Sequence, residues 1–137
     1  MRIRLTAVVA GLALIVAARP VGAHHSFNAE YDADKPAKLK GAVTKVEWKN
    51  PHAFFYIDVT DESGKVANWS LELTSPNALL RAGWTRNTMK IGDEVMVDGS
   101  RAKDGSNHAN VRSVTMASTG QKLFSPASQG QGETSVP

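Results

Sequence analysis

The chain has 137 residues, 42% hydrophobic and 21% charged, which suits one folded domain rather than a disordered polymer. It contains no cysteine, and this excludes a disulfide scaffold, a thiolate-held zinc or iron–sulfur site, a thiol nucleophile and a lipid-modified cysteine anchor. The formal net charge of +3 sits at one end: Arg2, Arg4 and Arg19 lie in a stretch without acids, and beyond residue 23 the 13 acidic residues meet an equal number of basic ones, so no footprint remains for nucleic acid or an anionic membrane.

Residues 1–23 read as a cleaved secretory signal. Met1-Arg2-Ile3-Arg4 is a short positive start, and residues 5–18 are an apolar run too short to span a bilayer. Arg19-Pro20 ends the run, and Val21-Gly22-Ala23 offers small residues for cleavage. The expected product begins His24-His25-Ser26-Phe27, is periplasmic or secreted, and keeps no membrane span.

Residues 24–36 have no sustained period and read as an N-terminal arm, with Phe27 and Tyr31 available to pin it to a body. Residues 37–49 form a first strand carrying Leu39, Gly41 and Val43 on one phase, then Val46 and Trp48 on the other. That slip near Thr44-Lys45, with Gly41 beside it, predicts a bulge or sharp bend. Asn50-Pro51 is a turn. Residues 52–60 form a second strand with Ala53, Phe55, Ile57 and Val59 inward and His52, Phe54, Tyr56 and Asp58 outward. A hairpin over 61–65 leads to a third strand, 66–73, with Ala67, Trp69, Leu71 and Leu73 inward and Asn68, Ser70 and Glu72 outward.

Ser75 caps a short helix over 76–82, with Pro76 at its first position and Gly83 closing it. Strands over 94–101 and 108–116 follow, and Gly120 allows a small terminal hairpin with residues 121–124. Residues 125–137 are rich in Ser, Gly and Gln and read as a disordered tail. Three strands, a helix and two strands, the first long and bent, is the order of the OB-fold, a five-stranded Greek-key barrel. The expected domain is an all-β, OB-like barrel over 37–124 with one helix between strands 3 and 4.

His24, His25, His52 and His108 are the nitrogen ligands available to a metal, and imidazole suits copper, zinc and nickel. Cleavage after Ala23 would give His24 a free amine beside its imidazole, a chelating pair that one further histidine completes as a copper brace. His25 offers a second mode through amine, amide and imidazole. In an OB-fold the loops before His52 and His108 share the ligand-binding end, within reach of the arm. Against this, no H-x-H, H-x-x-x-H or H-E-x-x-H spacing occurs, and solvated surface histidines would look the same in sequence.

Phe54 and Tyr56, bordered by Asn68, Ser70 and Glu72, mark a second candidate, the strand 2–3 face on which OB-folds stack ligands. The simpler expectation is that the arm covers this face through Phe27 or Tyr31. Asp58 and Glu72 are placed to face each other as a carboxylate pair, or to be ordinary solvated residues. No G-x-S-x-G, phosphate loop or dinucleotide fingerprint is present, so no catalytic residue is assigned.

His24-His25-Ser26-Phe27, Leu39-Lys40-Gly41, Val46-Glu47-Trp48, Asn50-Pro51-His52, Ser75-Pro76-Asn77 and Gly92-Asp93-Glu94-Val95 together resemble a family of small exported bacterial proteins, a domain of unknown function. The resemblance spans residues 24 to about 124. It implies export and a small β-barrel, places His24, His25 and His52 ahead of His108, and implies no activity. Three readings stand: a periplasmic binding protein holding copper through His24 and His25 with His52; an interaction module docking a protein or sugar on the strand 2–3 face without metal; and a copper-brace enzyme.

Overall fold

Ala37, Leu39, Gly41 and Val43 are buried in alternation with exposed neighbours, the period-two pattern of a strand with one face on a core. The computed structural model describes residues 26–126. The strands are β1 (Tyr31–Glu47), β2 (Phe54–Thr60), β3 (Val66–Glu72), β4 (Glu94–Ala102), β5 (His108–Met116) and β6 (Lys122–Phe124); the helices are α1 (Ser26–Glu30) and α2 (Pro76–Arg81). One sheet runs β3-β2-β1-β4-β5-β6 with antiparallel neighbours. β3 also pairs with β5 in parallel, so hydrogen bonds run in a ring through five strands. β3 occupies the first part of the second edge of β5 and β6 the rest.

The bend in β1 makes the ring possible. Its first part pairs with β4 and its second with β2, and the register to β2 shifts between Val43 and Lys45, where the sequence phase slips. Gly41 lies just before this bend, against the Asp58 carbonyl of β2. A Cβ there would collide with that backbone oxygen. Gly41→Ala is therefore expected to destabilise by about 3 kcal/mol or to prevent folding. An unchanged urea midpoint would show instead that β1 and β2 separate freely at this point.

The core fills the ring with Phe55, Ile57, Leu71, Val95 and Val114, and α2 closes one side with Leu79. Ser75 caps α2, accepting from the Ala78 amide at 3.2 Å. Trp69, Leu71, Phe55, Ile57 and Val95 are buried as expected, whereas Val59 is half-buried, because its register partner Ala67 lies near the open hairpin end.

Four expectations need correction. The sheet has six strands rather than five, since the terminal hairpin forms and Trp84 Nε1 donates to the Phe124 carbonyl at 2.9 Å. Among the described residues there are two short helices rather than one. The arm expected over 24–36 is helix and strand wherever it is described: β1 starts at Tyr31, and Pro36 is accommodated next to a break in register to β4. Ser125, expected at the start of the tail, is buried, and its hydroxyl accepts from the Thr74 amide at 3.0 Å, so the tail starts no earlier than Pro126. Residues 1–25 and 127–137, on which the expected signal, His24, His25 and the rest of the expected tail fall, lie outside the described residues. Among the described residues no helix is long and apolar enough to cross a membrane.

Candidate functional site

Register brings the site together. In the β2–β3 ladder Phe54 stands opposite Glu72, so both share the face turned away from Phe55 and Leu71. His52 precedes Phe54 by two residues, just after the cis Asn50–Pro51 bond. The parallel β3–β5 pairing sets Ser70 beside His108 and Glu72 beside Asn110. Tyr31 opens β1 opposite Ala102 of β4. Lys103 ties α1 down, its amide donating to the Glu30 carbonyl at 2.8 Å and its ammonium to the Asn28 carbonyl.

Glu72 is the centre of the cluster. Its Oε1 accepts from His52 Nδ1, and its Oε2 accepts from the Tyr31 hydroxyl. His108 Nε2 lies 2.5 Å from the Tyr31 oxygen and 3.9 Å from Glu72 Oε2. His108 Nδ1 donates to the Ser70 carbonyl at 3.0 Å, which fixes the ring and turns Nε2 toward the Tyr31 oxygen. An aromatic file covers the cluster: Phe27 packs on Tyr31 at 5.4 Å between centroids, Tyr31 on His108 at 5.2 Å, and His108 stacks on Phe54 at 6.3 Å.

Tyr31 is buried, and this burial, with Glu72 beside it, pushes its phenol far above the usual tyrosine range. The unfolded phenol ionises near pH 10, and the folded one resists. Its contribution to stability is therefore complete below about pH 10 and is lost as the pH rises beyond it. Urea unfolding between pH 8 and 11 is expected to show this alkaline loss, and Tyr31→Phe to remove most of it. Equal slopes for both proteins would mean that the phenol ionises without constraint.

Of the four histidines of the expected metal set, the two among the described residues, His52 and His108, both stand against Glu72. Their nitrogens are used differently. His108 is engaged through both, whereas His52 Nδ1 is held by Glu72 and its Nε2 has no partner among the described residues. The supposed carboxylate pair does not form. Asp58 stands opposite Asn68 and accepts from its amide at 2.8 Å, while Glu72 is buried among hydrogen-bond donors rather than solvated.

On the strand 2–3 face, Phe54 lies beneath Lys49 Nζ at 5.1 Å and Tyr56 beneath Lys45 Nζ at 5.3 Å. Glu47 binds both lysines, at 2.7 Å from Lys49 and 3.1 Å from Lys45, and the Lys49 bond holds its carboxyl down at about 2. The Glu47 hydrogen bond in turn raises the Tyr56 phenol. Sequence reasoning missed Glu30, whose carboxylate lies with Glu72 and His108 in a group of atoms within 4.8 Å of one another. No local pattern marks it, because the group joins a helix and two strands.

Residues 12–111 match the family described as Family of unknown function (DUF6152), and the chain belongs to that family. No curated protein matches the chain.

Proposed function

We propose that this member of the DUF6152 family is an exported binding protein with an OB-like barrel, and that its ligand is copper(II). The observation that carries the reading is the orientation of His52: a buried carboxylate holds Nδ1 and leaves Nε2 as the ligating nitrogen, the arrangement by which outer carboxylates prepare metal-binding histidines. His24 and His25 precede Phe27 by three and two residues, a span of at most about 11 Å. Phe27 itself packs on Tyr31 of the cluster. After cleavage following Ala23, the His24 amine and imidazole would join His52 Nε2 around one copper ion, with His25 as the alternative chelating mode.

The ring order supports the OB-like reading, since β1-β2-β3 and β4-β5 close through a β3–β5 pairing. The interaction-module reading has less behind it, because Lys45, Lys49 and His108 already cover the aromatic rings it would need. Copper titration of the chain beginning at His24 tests the proposal. His52→Ala is expected to weaken Cu(II) binding by about tenfold or more. Equal affinity in wild type and variant would overturn it.

A further inference from the structure

We infer that the outer face of β1, β4, β5 and β6 docks an extended acidic segment of a partner protein, of the pattern acid-x-apolar-x-acid. The copper reading plays no part in this, since no residue of the face belongs to the Glu72 cluster. Register builds the face. Lys40 stands opposite Met96, Met96 opposite Thr115 and Thr115 opposite Lys122, so one row crosses four strands. The next row is Lys38, Asp98, Ser113 and Phe124. Leu39, Val97 and Val114 alternate with these rows and point into the core. Lysines stand on β1 and β6, whereas Ser113 and Thr115 between them are short. The result is a groove of about 350 Å3 with Lys38 and Lys40 on one wall and Lys122 on the other.

Charge and polarity select the occupant. Lys40 pairs with Glu94 at 3.5 Å, and Arg112 with Asp98 at 3.8 Å. Lys38 and Lys122, one on each wall, have no carboxylate within ion-pair distance among the described residues. Lys122 instead rests over the exposed Phe124 ring, 5.4 Å from its centroid. Between the walls Met96 is 44% exposed, although its neighbours Val95 and Val97 are buried. Cation, thioether and cation match acid, apolar side chain and acid.

The spacing fits an extended chain. β1 and β6 are three strand spacings apart in the sheet, about 14 Å. Acids four residues apart on an extended chain stand about 13 Å apart and point the same way, with the residue midway between them on the same side. A chain crossing the strands thus sets its acids on Lys38 and Lys122 and its middle side chain on Met96. An anionic bilayer fits less well. It is flat, and it would bring lipid phosphates against Asp98 and Glu94, whereas a single chain enters the groove.

The test is fluorescence anisotropy of a capped, labelled peptide, Ser-Glu-Thr-Val-Thr-Glu-Ser, titrated in EDTA with the chain beginning at His24. One peptide per chain is expected, with affinity falling as salt rises. The same residues reordered as Ser-Glu-Glu-Val-Thr-Thr-Ser should bind severalfold more weakly, because adjacent acids point to opposite sides. Lys38→Gln/Lys122→Gln, at exposed positions, is expected to weaken binding about tenfold, the sum of two exposed ion pairs. Lys65→Gln, a charge-matched change in the hairpin over 61–65, should leave binding unchanged. Lys38→Glu/Lys122→Glu should prefer Ser-Lys-Thr-Val-Thr-Lys-Ser to the Glu peptide, and urea midpoints verify that each variant is folded. No binding by the wild type, equal binding of the reordered peptide, full affinity in Lys38→Gln/Lys122→Gln, or a kept preference for the Glu peptide after charge reversal would each overturn the inference. So would phosphatidylglycerol vesicles that bind through the same two lysines while the peptide does not, which would make the face a membrane contact. Copper binding should be unchanged in all of these variants, so either proposal can fail without the other.

Discussion

Glu72→Ala is expected to destabilise the protein by about 3 kcal/mol, from the cost of leaving buried donors without an acceptor. In a domain of this size that lowers Tm by about 10 °C. The carboxylate accepts from Tyr31 at the start of β1 and from His52 in the β1–β2 connection, and it faces His108 on β5. Removing it leaves the buried Tyr31 hydroxyl with only His108 Nε2 to receive its proton and leaves His52 Nδ1 unbonded. Glu72→Gln should cost less, since one amide oxygen remains, but its NH2 would confront a second donor. Thermal and urea unfolding of both variants measure this. A loss below about 1 kcal/mol in Glu72→Ala would show that the cluster is loosely held and would remove the basis for His52 as an oriented ligand.

The other large effect is on copper. In the chain beginning at His24, His24→Ala is expected to lower Cu(II) affinity by orders of magnitude, because the amine then loses its chelating imidazole partner. His52→Ala should have the smaller effect given above. Adding one glycine before His24 provides a control that leaves every side chain in place, since it moves the free amine off His24 and should also weaken binding strongly. Acid should weaken binding in the wild type, as protons compete for amine and imidazole nitrogens. Competition against a chelator of known affinity measures all of these proteins. Equal, weak binding by wild type and variants would make the histidines ordinary surface residues and return the interaction-module reading to first place.

The experiments rest on parts of the molecule that are unequally legible in its sequence. The bulge after Val43, the Ser75 cap, the span of β5 and the inward positions of Phe55, Ile57 and Leu71 all follow from residues a few positions apart. Period, capping chemistry and turn residues act locally, so their signals survive without knowledge of the fold. Alternation puts His52 and Glu72 on the outward face, yet it says nothing about what covers that face.

The cover was decided by tertiary structure. Tyr31 is 41 residues from Glu72 and 77 from His108, and Glu30 reaches the same place through the β1–β4 pairing and the Lys103 amide that binds its carbonyl. The β3–β5 pairing that sets Ser70 beside His108 is parallel and non-local, with no turn between the strands to announce it. By itself the sequence determined where most strands run, most of the inward positions and the outward placement of His52. Ring closure alone decided that a glutamate outside the core is buried and that two histidines and a tyrosine converge on it, because contacts between distant segments depend on how the strands bend and close rather than on the order of residues within any one of them.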